Sequence, residues 1–447
     1  MKPGPLGWFG IVRLGLVQTA IGAMFALTSL TLNRVMVVEY GMPAILPAAF
    51  VAWNYVVQLS RPRWGYGSDM GRRRTPWIVG GMGVLALGAI LATDATVMMT
   101  HAPVLGAILA FTAYSLVGMG VGAAGTSLLA LLASRVVPKR RPAAASITWI
   151  MMIAGFILYA AASGTWLQPF SAQRLALLAS CVSGVCFVAT LLAVRNMEGE
   201  GDVVGEHAPM AKPSFRTVIS EIWADPLARR FTIFVFVSML AYSAQELILE
   251  PFAGLVFRMT PAQSAALTGF EKGGALLGMI LVGALGARFG DRRALWMRRW
   301  TIAGCVGSAV ALCGMVAASL VGGAWPLTPT VFLLGLANGI FAVAAIGSMM
   351  GLAGAGRGSR EGARMGVWGA AQAGAFAIGG FMGAAGVQAL RGVLHQPAPA
   401  FVLVFGLEAL AFLVAAVLAG TLRSAASLPA RAANAANGSM EFGGAHG

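Results

Sequence analysis

Long apolar runs alternate with short basic loops along the whole chain. Twelve runs are long enough to cross a hydrocarbon core of about 30 Å, which takes roughly 20 helical residues. In the first half they cover about 14–32, 43–60, 76–99, 103–134, 144–167 and 172–194. In the second half they cover about 231–256, 262–287, 295–320, 327–353, 365–389 and 399–421. The longest accommodate extra turns or tilt. One stretch breaks the alternation: residues 195–230 are charged, contain Gly and Pro, and read as a linker with a short surface helix near 215–224. The pattern predicts an all-α polytopic membrane protein, with six-helix bundles over 1–194 and 231–422. The Ala-, Gly- and Ser-rich residues 423–447 read as a disordered tail. The run from Leu14 to Leu32 exceeds a signal-peptide core and is expected to stay as the first span.

A basic pattern recurs at half the chain length. The first copy is Gly65-Tyr-Gly-Ser-Asp69-Met-Gly71-Arg72-Arg73-Arg74. The second is Gly283-Ala-Leu-Gly-Ala287-Arg288-Phe-Gly290-Asp291-Arg292-Arg293. Each lies between two apolar runs, as internal duplication of a membrane bundle requires.

Charge then orients the bundle. Net charge is +15, yet only 11% of residues are charged and 58% are hydrophobic. The basic residues sit in short loops, which argues for membrane topology and against nucleic acid. With both termini in the cytoplasm, 26 of the 31 Lys and Arg fall inside and four outside, with Lys272 within a span. Cys181, Cys186, Cys305 and Cys313 all lie in apolar runs without metal-type spacing, and read as packing residues. No nucleophile–base pair, ligand set or phosphate loop argues for an enzyme.

Twelve spans in two halves with a long central loop are the architecture of the major facilitator superfamily. The repeated pattern resembles that superfamily's loop between its second and third helices and the echo between its eighth and ninth. The resemblance implies a helix brace at the cytoplasmic face, built from Gly65, Asp69, Gly71, Arg72, Arg73, Gly283, Arg288, Gly290 and Arg292. The first copy is one residue short, and the second has Ala287 where the acid would stand.

Ionisable groups inside spans cost about 3 kcal/mol at the bilayer centre, so each needs a reason. Glu246 and Glu250 fall in the outer third of the seventh run, and Glu271 and Lys272 near the middle of the eighth. Asn338, Gln372 and Glu408 reach similar depth. Adjacent helical residues point about 100° apart, so Glu271 and Lys272 are expected to find partners on other helices. Glu246, Lys272, Asn338 and Gln372 are candidates for one polar cluster. Two readings stand open: interhelical hydrogen bonds that hold the bundle, or a site for a polar or metal-containing ligand. Glu408, on a flanking helix, calls for pairing or protonation. Arg34 and Glu39 end the first run as a candidate outer gate, with Arg34 reaching toward Glu246 or Glu250.

Five stretches together resemble the PucC/LhaA family of phototrophic bacteria. They are Leu32–Ala44, Arg61–Asp69, Gln245–Phe252, Gly335–Met350 and Arg360–Gln372. The short loop at 65–74 is most similar to the branch encoded among bacteriochlorophyll-synthesis genes. Glu246 and Phe252 depart from the Asp and Tyr that many members carry. The resemblance implies an inner-membrane assembly factor that binds or delivers bacteriochlorophyll, with bacteriochlorophyll a as cargo. It implies light-harvesting antenna polypeptides, and bacteriochlorophyll-synthesis enzymes, as partners within the lipid bilayer. Trp53, Trp149, Trp368, Met349, Met350 and Met365 suit a flat macrocycle, although such residues also pack cores. His101, His207, His395 and His446 lie outside the spans. A chlorin magnesium would therefore take Asn, Gln, Glu, a backbone carbonyl or water. The alternative is a secondary transporter of a small molecule.

Overall fold

In lipid an apolar run must satisfy its own backbone, and the helix does so internally. The computed structural model describes residues 6–43, 45–71, 73–167, 169–198, 214–259, 261–286, 293–353 and 360–422. Among these residues there is helix and no strand. Eleven helices are long and apolar enough to cross a membrane. In the first half the elements are α1 (Trp8–Ala26), α2 (Ile45–Val57), α3 (Arg61–Met70), α4 (Thr75–Met98), α5 (Pro103–Arg135), α6 (Arg141–Trp166) and α7 (Ala172–Val194). A short α8 (Phe215–Ala224) follows. The second half holds α9 (Pro226–Phe257), α10 (Pro261–Gly286), α11 (Arg293–Val321), α12 (Leu327–Ala353), α13 (Glu361–Leu394) and α14 (Pro397–Thr421). The chain is a multi-pass membrane protein.

The second apolar run is the divided one. α2 and α3 meet through a tight helical turn at Gln58–Ser60. Pro62 accounts for it, because proline offers no N–H to the carbonyl four residues back. α1 carries the opposite distortion. Its helical path continues to Glu39 through wide turns at Leu27–Thr31 and Val35–Glu39. Side chains of neighbouring spans bond to the first wide turn: the Tyr114 hydroxyl donates to the Thr28 carbonyl at 2.7 Å, and the Tyr159 hydroxyl donates to Thr31 Oγ1 at 2.8 Å.

α8 is short, yet it is anchored. Ser214 caps it by accepting from the Thr217 N–H at 3.2 Å. Its apolar face buries Val218 and Ile222 with Ala363, against Tyr66 and Val367. Asp225 then caps α9 through the Leu227 N–H at 2.9 Å. The linker helix thus packs on both halves at the end where the loops are basic, called the basic face below. The predicted tail and the predicted linker residues 199–213 lie outside the described residues.

Candidate functional site

One seam, between α13 and the α2–α3 helix, carries two features that join the halves. At the basic face the seam closes in a latch centred on Asp69, which is almost wholly buried. Its Oδ1 accepts from the Gly362 N–H at 2.9 Å, and its Oδ2 from the Ala363 N–H at 2.8 Å. These amides open α13, whose own Arg360 provides no side-chain cap. A carboxylate at a helix N-terminus satisfies orphan donors and complements the helix dipole, so one half caps a helix of the other.

Arg74 completes the latch. Its guanidinium donates to Asp69 at 3.1 Å, Glu361 at 2.8 Å, the Ala130 carbonyl at 2.7 Å and Ser134 Oγ at 2.5 Å. Glu198 accepts from the backbone N–H groups of Arg74 and Thr75 at 2.7 and 2.8 Å, capping α4. Burial pushes the Asp69 carboxyl up to about 6, against the opposing pull of Arg74 and the two amides. On the outer side of the latch, Arg360 pairs with Glu221, and Arg364 with Asp225 at 3.6 Å. The backbones touch closely here: a Cβ on Gly362 would lie 2.6 Å from Ser68 Oγ, and one on Gly366 would lie 2.6 Å from the Arg61 carbonyl.

Deeper in the bundle the seam ends in a row of rings. Phe25 of α1 lies 6.2 Å from Tyr55 of α2, Tyr55 5.5 Å from Phe376 of α13, and Phe376 6.0 Å from Tyr242 of α9. All four rings are half-buried. Aromatic pairs at these separations attract beyond their area burial. Gln372 of α13 reaches Met239 Sδ at 3.9 Å, and Gln18 of α1 reaches Met152 Sδ at 3.9 Å. The second junction between the halves also lies toward the basic face. There Trp149, Ile150 and Ile153 of α6 pack with Ala275, Met279 and Val343.

Several expectations need correction. Of the three consecutive arginines, Arg74 makes the latch; Arg73 is exposed and Arg72 lies outside the described residues. Arg288, Gly290 and Arg292 also lie outside them, and Gly283 faces Ser146 of α6. Glu271 and Lys272 pair with each other at 3.0 Å, because the long lysine stem spans the angle between neighbouring helix positions. Arg34 faces Glu39 at 4.0 Å. The wide turn brings positions five apart onto one face. The side chains of Glu246 and Glu250 lie outside the described residues.

The expected cluster of Glu246, Lys272, Asn338 and Gln372 is not assembled from the described side chains. Lys272 is held by Glu271, Gln372 meets Met239, and Asn338 accepts from Ser308 Oγ at 2.8 Å inside the C-terminal half. Trp368, Met349, Met350 and Met365 are core packing, with Trp368 against Phe231 at 4.9 Å. Trp53 is partly exposed and donates to Ser115 Oγ at 2.8 Å. The ring row, Arg74, Glu198 and Glu361 were missed. Two of these had a signal: Arg74 closes the first copy of the basic pattern, and Glu361 lies in the Arg360–Gln372 stretch.

Comparison with known proteins bears on this arrangement. A protein-family model described as "PUCC protein" matches residues 31–426. The chain is 49% identical over 430 residues to the "Bacteriochlorophyll synthase 44.5 kDa chain" of Rhodobacter capsulatus, covering 95% of this chain and 98% of that one. It is 27% identical to "Protein PucC" of Cereibacter sphaeroides, over 93% of this chain and 92% of that one. Among solved structures, a bacterial homologue of the iron transporter ferroportin in an outward-facing state superposes with a TM-score of 0.72. That match is 14% identical and covers 92% of this chain and 99% of the other. A major facilitator superfamily transporter, FucP in the outward conformation, superposes at 0.67, 14% identical, over 93% of this chain and 98% of that one. The fold is that of the major facilitator superfamily.

Proposed function

This chain belongs to the PUCC protein family, and we propose on that premise that it holds bacteriochlorophyll, or a late precursor, for delivery to light-harvesting antenna polypeptides. The observation that carries the reading is the row Phe25, Tyr55, Phe376 and Tyr242. Half-buried rings contributed by both halves offer apolar, polarisable contact to a flat macrocycle. The latch seals the basic face beyond the row, so a pigment already dissolved in the bilayer would be held rather than passed through. Gln18 and Gln372 flank the row with neutral amides. Their oxygens suit a chlorin magnesium or a water bound to it, and their N–H groups suit ring carbonyls.

The role is that of a holder and not a catalyst, whatever the synthase chain's name says of that relative. The membrane is the bacterial inner membrane, with the basic face and both termini cytoplasmic. The support is the 26-to-4 division of Lys and Arg between the loops of the two sides. Small-molecule transport is the second reading, favoured by the mid-depth Glu271–Lys272 pair. Deleting the gene in a phototrophic host separates the two. Continued pigment synthesis with loss of assembled antenna is the expected result. Unchanged antenna, together with uptake of a soluble solute by proteoliposomes holding the protein, would establish transport instead.

A further inference from the structure

Four spans of the C-terminal half carry polar residues in its apolar interior. Among them are Gln245 on α9, Ser308 on α11, Asn338 on α12 and Glu408 on α14, each at most 5% exposed. Helical spacing puts them on the inward stripes. On α9 the buried positions Phe234, Ser238, Ala241, Gln245, Ile248 and Phe252 recur every three or four residues. On α14 Phe401, Phe405, Glu408 and Phe412 do the same.

Ring contacts set the register. Phe252 meets Phe401 and Phe405 at 5.1 Å each, and Phe341 of α12 meets Phe234 at 6.1 Å and Phe412 at 5.9 Å. α12 and α14 run in the same direction. Asn338 stands one turn before Phe341, and Glu408 one turn before Phe412, so both lie in the same layer. Ser308 Oγ enters it by donating to Asn338 Oδ1 at 2.8 Å.

Among the described residues, both Glu408 oxygens, both ends of the Gln245 amide and Asn338 Nδ2 lack hydrogen-bond partners. Buried polar groups are normally satisfied, and a buried charge is normally paired. The helices packed on α14 bring no cation to this depth. Arg229 and Arg230 of α9 are exposed at the basic face. Arg298 of α11 donates there to the Gly420 carbonyl, about 18 Å along α14 from Glu408 at 1.5 Å per residue. Arg299 of α11 and Arg360 and Arg364 of α13 lie toward the same face, and Arg391 is exposed at the other end. Cys305 of α11 is a buried thiol, and Glu246 and Glu250 of α9 are acids. α12 carries no ionisable residue, and Lys272 of α10 is held by Glu271.

We propose that this layer is a binding site for one small monovalent cation, a proton or a sodium ion, that neutralises Glu408. The neutral amide serves either occupant. Asn338 presents an N–H donor to a carboxylate oxygen and a C=O acceptor to a carboxylic O–H. Glu408, Ser308 and Asn338 also bring oxygens from three helices, the donor type a hard cation requires. Binding removes the uncompensated charge from the interior of the C-terminal half, so occupancy sets the stability of that bundle.

The test follows thermal unfolding of the full chain in detergent. Sodium is exchanged for choline at constant ionic strength, and the series is repeated across pH, for wild type and Glu408→Gln. The wild-type midpoint is expected to shift with sodium or with pH, and Glu408→Gln to lose that part of the shift. Infrared spectra of the wild type give a readout that does not require the variant to fold. At about pH 8, where Asp69 is ionised, a protonated-carboxyl band that deuterium exchange shifts identifies the proton, and its replacement by a carboxylate band on adding sodium identifies the ion. Identical sodium and pH dependence in both chains would overturn the proposal. So would a wild-type spectrum in which no carboxyl signal responds to acid or sodium.

Discussion

Substituting Gly366→Ala tests whether the α13 seam holds the basic face shut. A Cβ at this position would lie 2.6 Å from the Arg61 carbonyl oxygen and 2.7 Å from Pro62 Cα. Ordinary contact begins at 3.4 Å, so the two helices must part by about 0.8 Å. Both obstacles are main chain at a proline-fixed turn and have no rotamer to change. Overpacking of this kind costs about 1–3 kcal/mol. Alanine's higher helix propensity acts in closed and open forms alike and cancels. The closed form should therefore lose about 5- to 150-fold in population relative to a form with the basic face open. Spin labels at exposed Arg63 of α3 and Arg299 of α11 report the separation of the halves by pulsed dipolar spectroscopy. The variant should show a new, longer distance. Gly80→Ala is the control, since a Cβ there meets nothing within 4 Å. A distance distribution unchanged by Gly366→Ala in folded protein would refute the reasoning.

Other consequences follow from the latch. Arg74→Lys keeps the charge but cannot reach four acceptors from one ammonium. It should cost about 3 kcal/mol, seen as a lower Tm in detergent, and an unchanged Tm would count against the latch. Asp69→Ala should leave the Gly362 and Ala363 N–H groups unsatisfied, which costs about 1–3 kcal/mol and exposes the seam to proteolysis. The pH dependence has a definite sign. The folded chain holds the Asp69 proton up to about pH 6, against 3.8 for the free side chain. Stability from this group is therefore complete below 3.8 and is lost as pH rises through about 6. Acidification from about pH 7 to about pH 4 should stabilise wild type relative to Asp69→Asn in thermal unfolding, and a constant gap would contradict the assignment.

Which parts of this were readable beforehand has a physical reason. Span positions were legible because lipid demands long apolar runs, and α8 because Phe215 to Ala224 alternates on a helical period between Ser214 and Asp225. The location of the latch was legible from Asp69 and its glycines. Its chemistry was not: Arg72, Arg73 and Arg74 are equivalent in a string, and only the start of α4 at Thr75 turns Arg74 inward. Its partners Glu198 and Glu361 lie 124 and 287 residues away, beyond any local pattern. Asn338 was assigned to the wrong side of α12 because that helix is apolar all round, so no face of it can be read. The ring row was invisible for the same reason.

Pigment content of the purified protein tests the central claim most directly. The full chain, isolated in mild detergent from a phototrophic host, should carry the absorption bands of bacteriochlorophyll. Tyr55→Ala with Phe376→Ala removes two rings worth about 1 kcal/mol each, so it should lower pigment affinity about 30-fold. Pigment retained in full by the double variant would move the holding site away from the ring row. A colourless wild-type protein from that host would contradict the account.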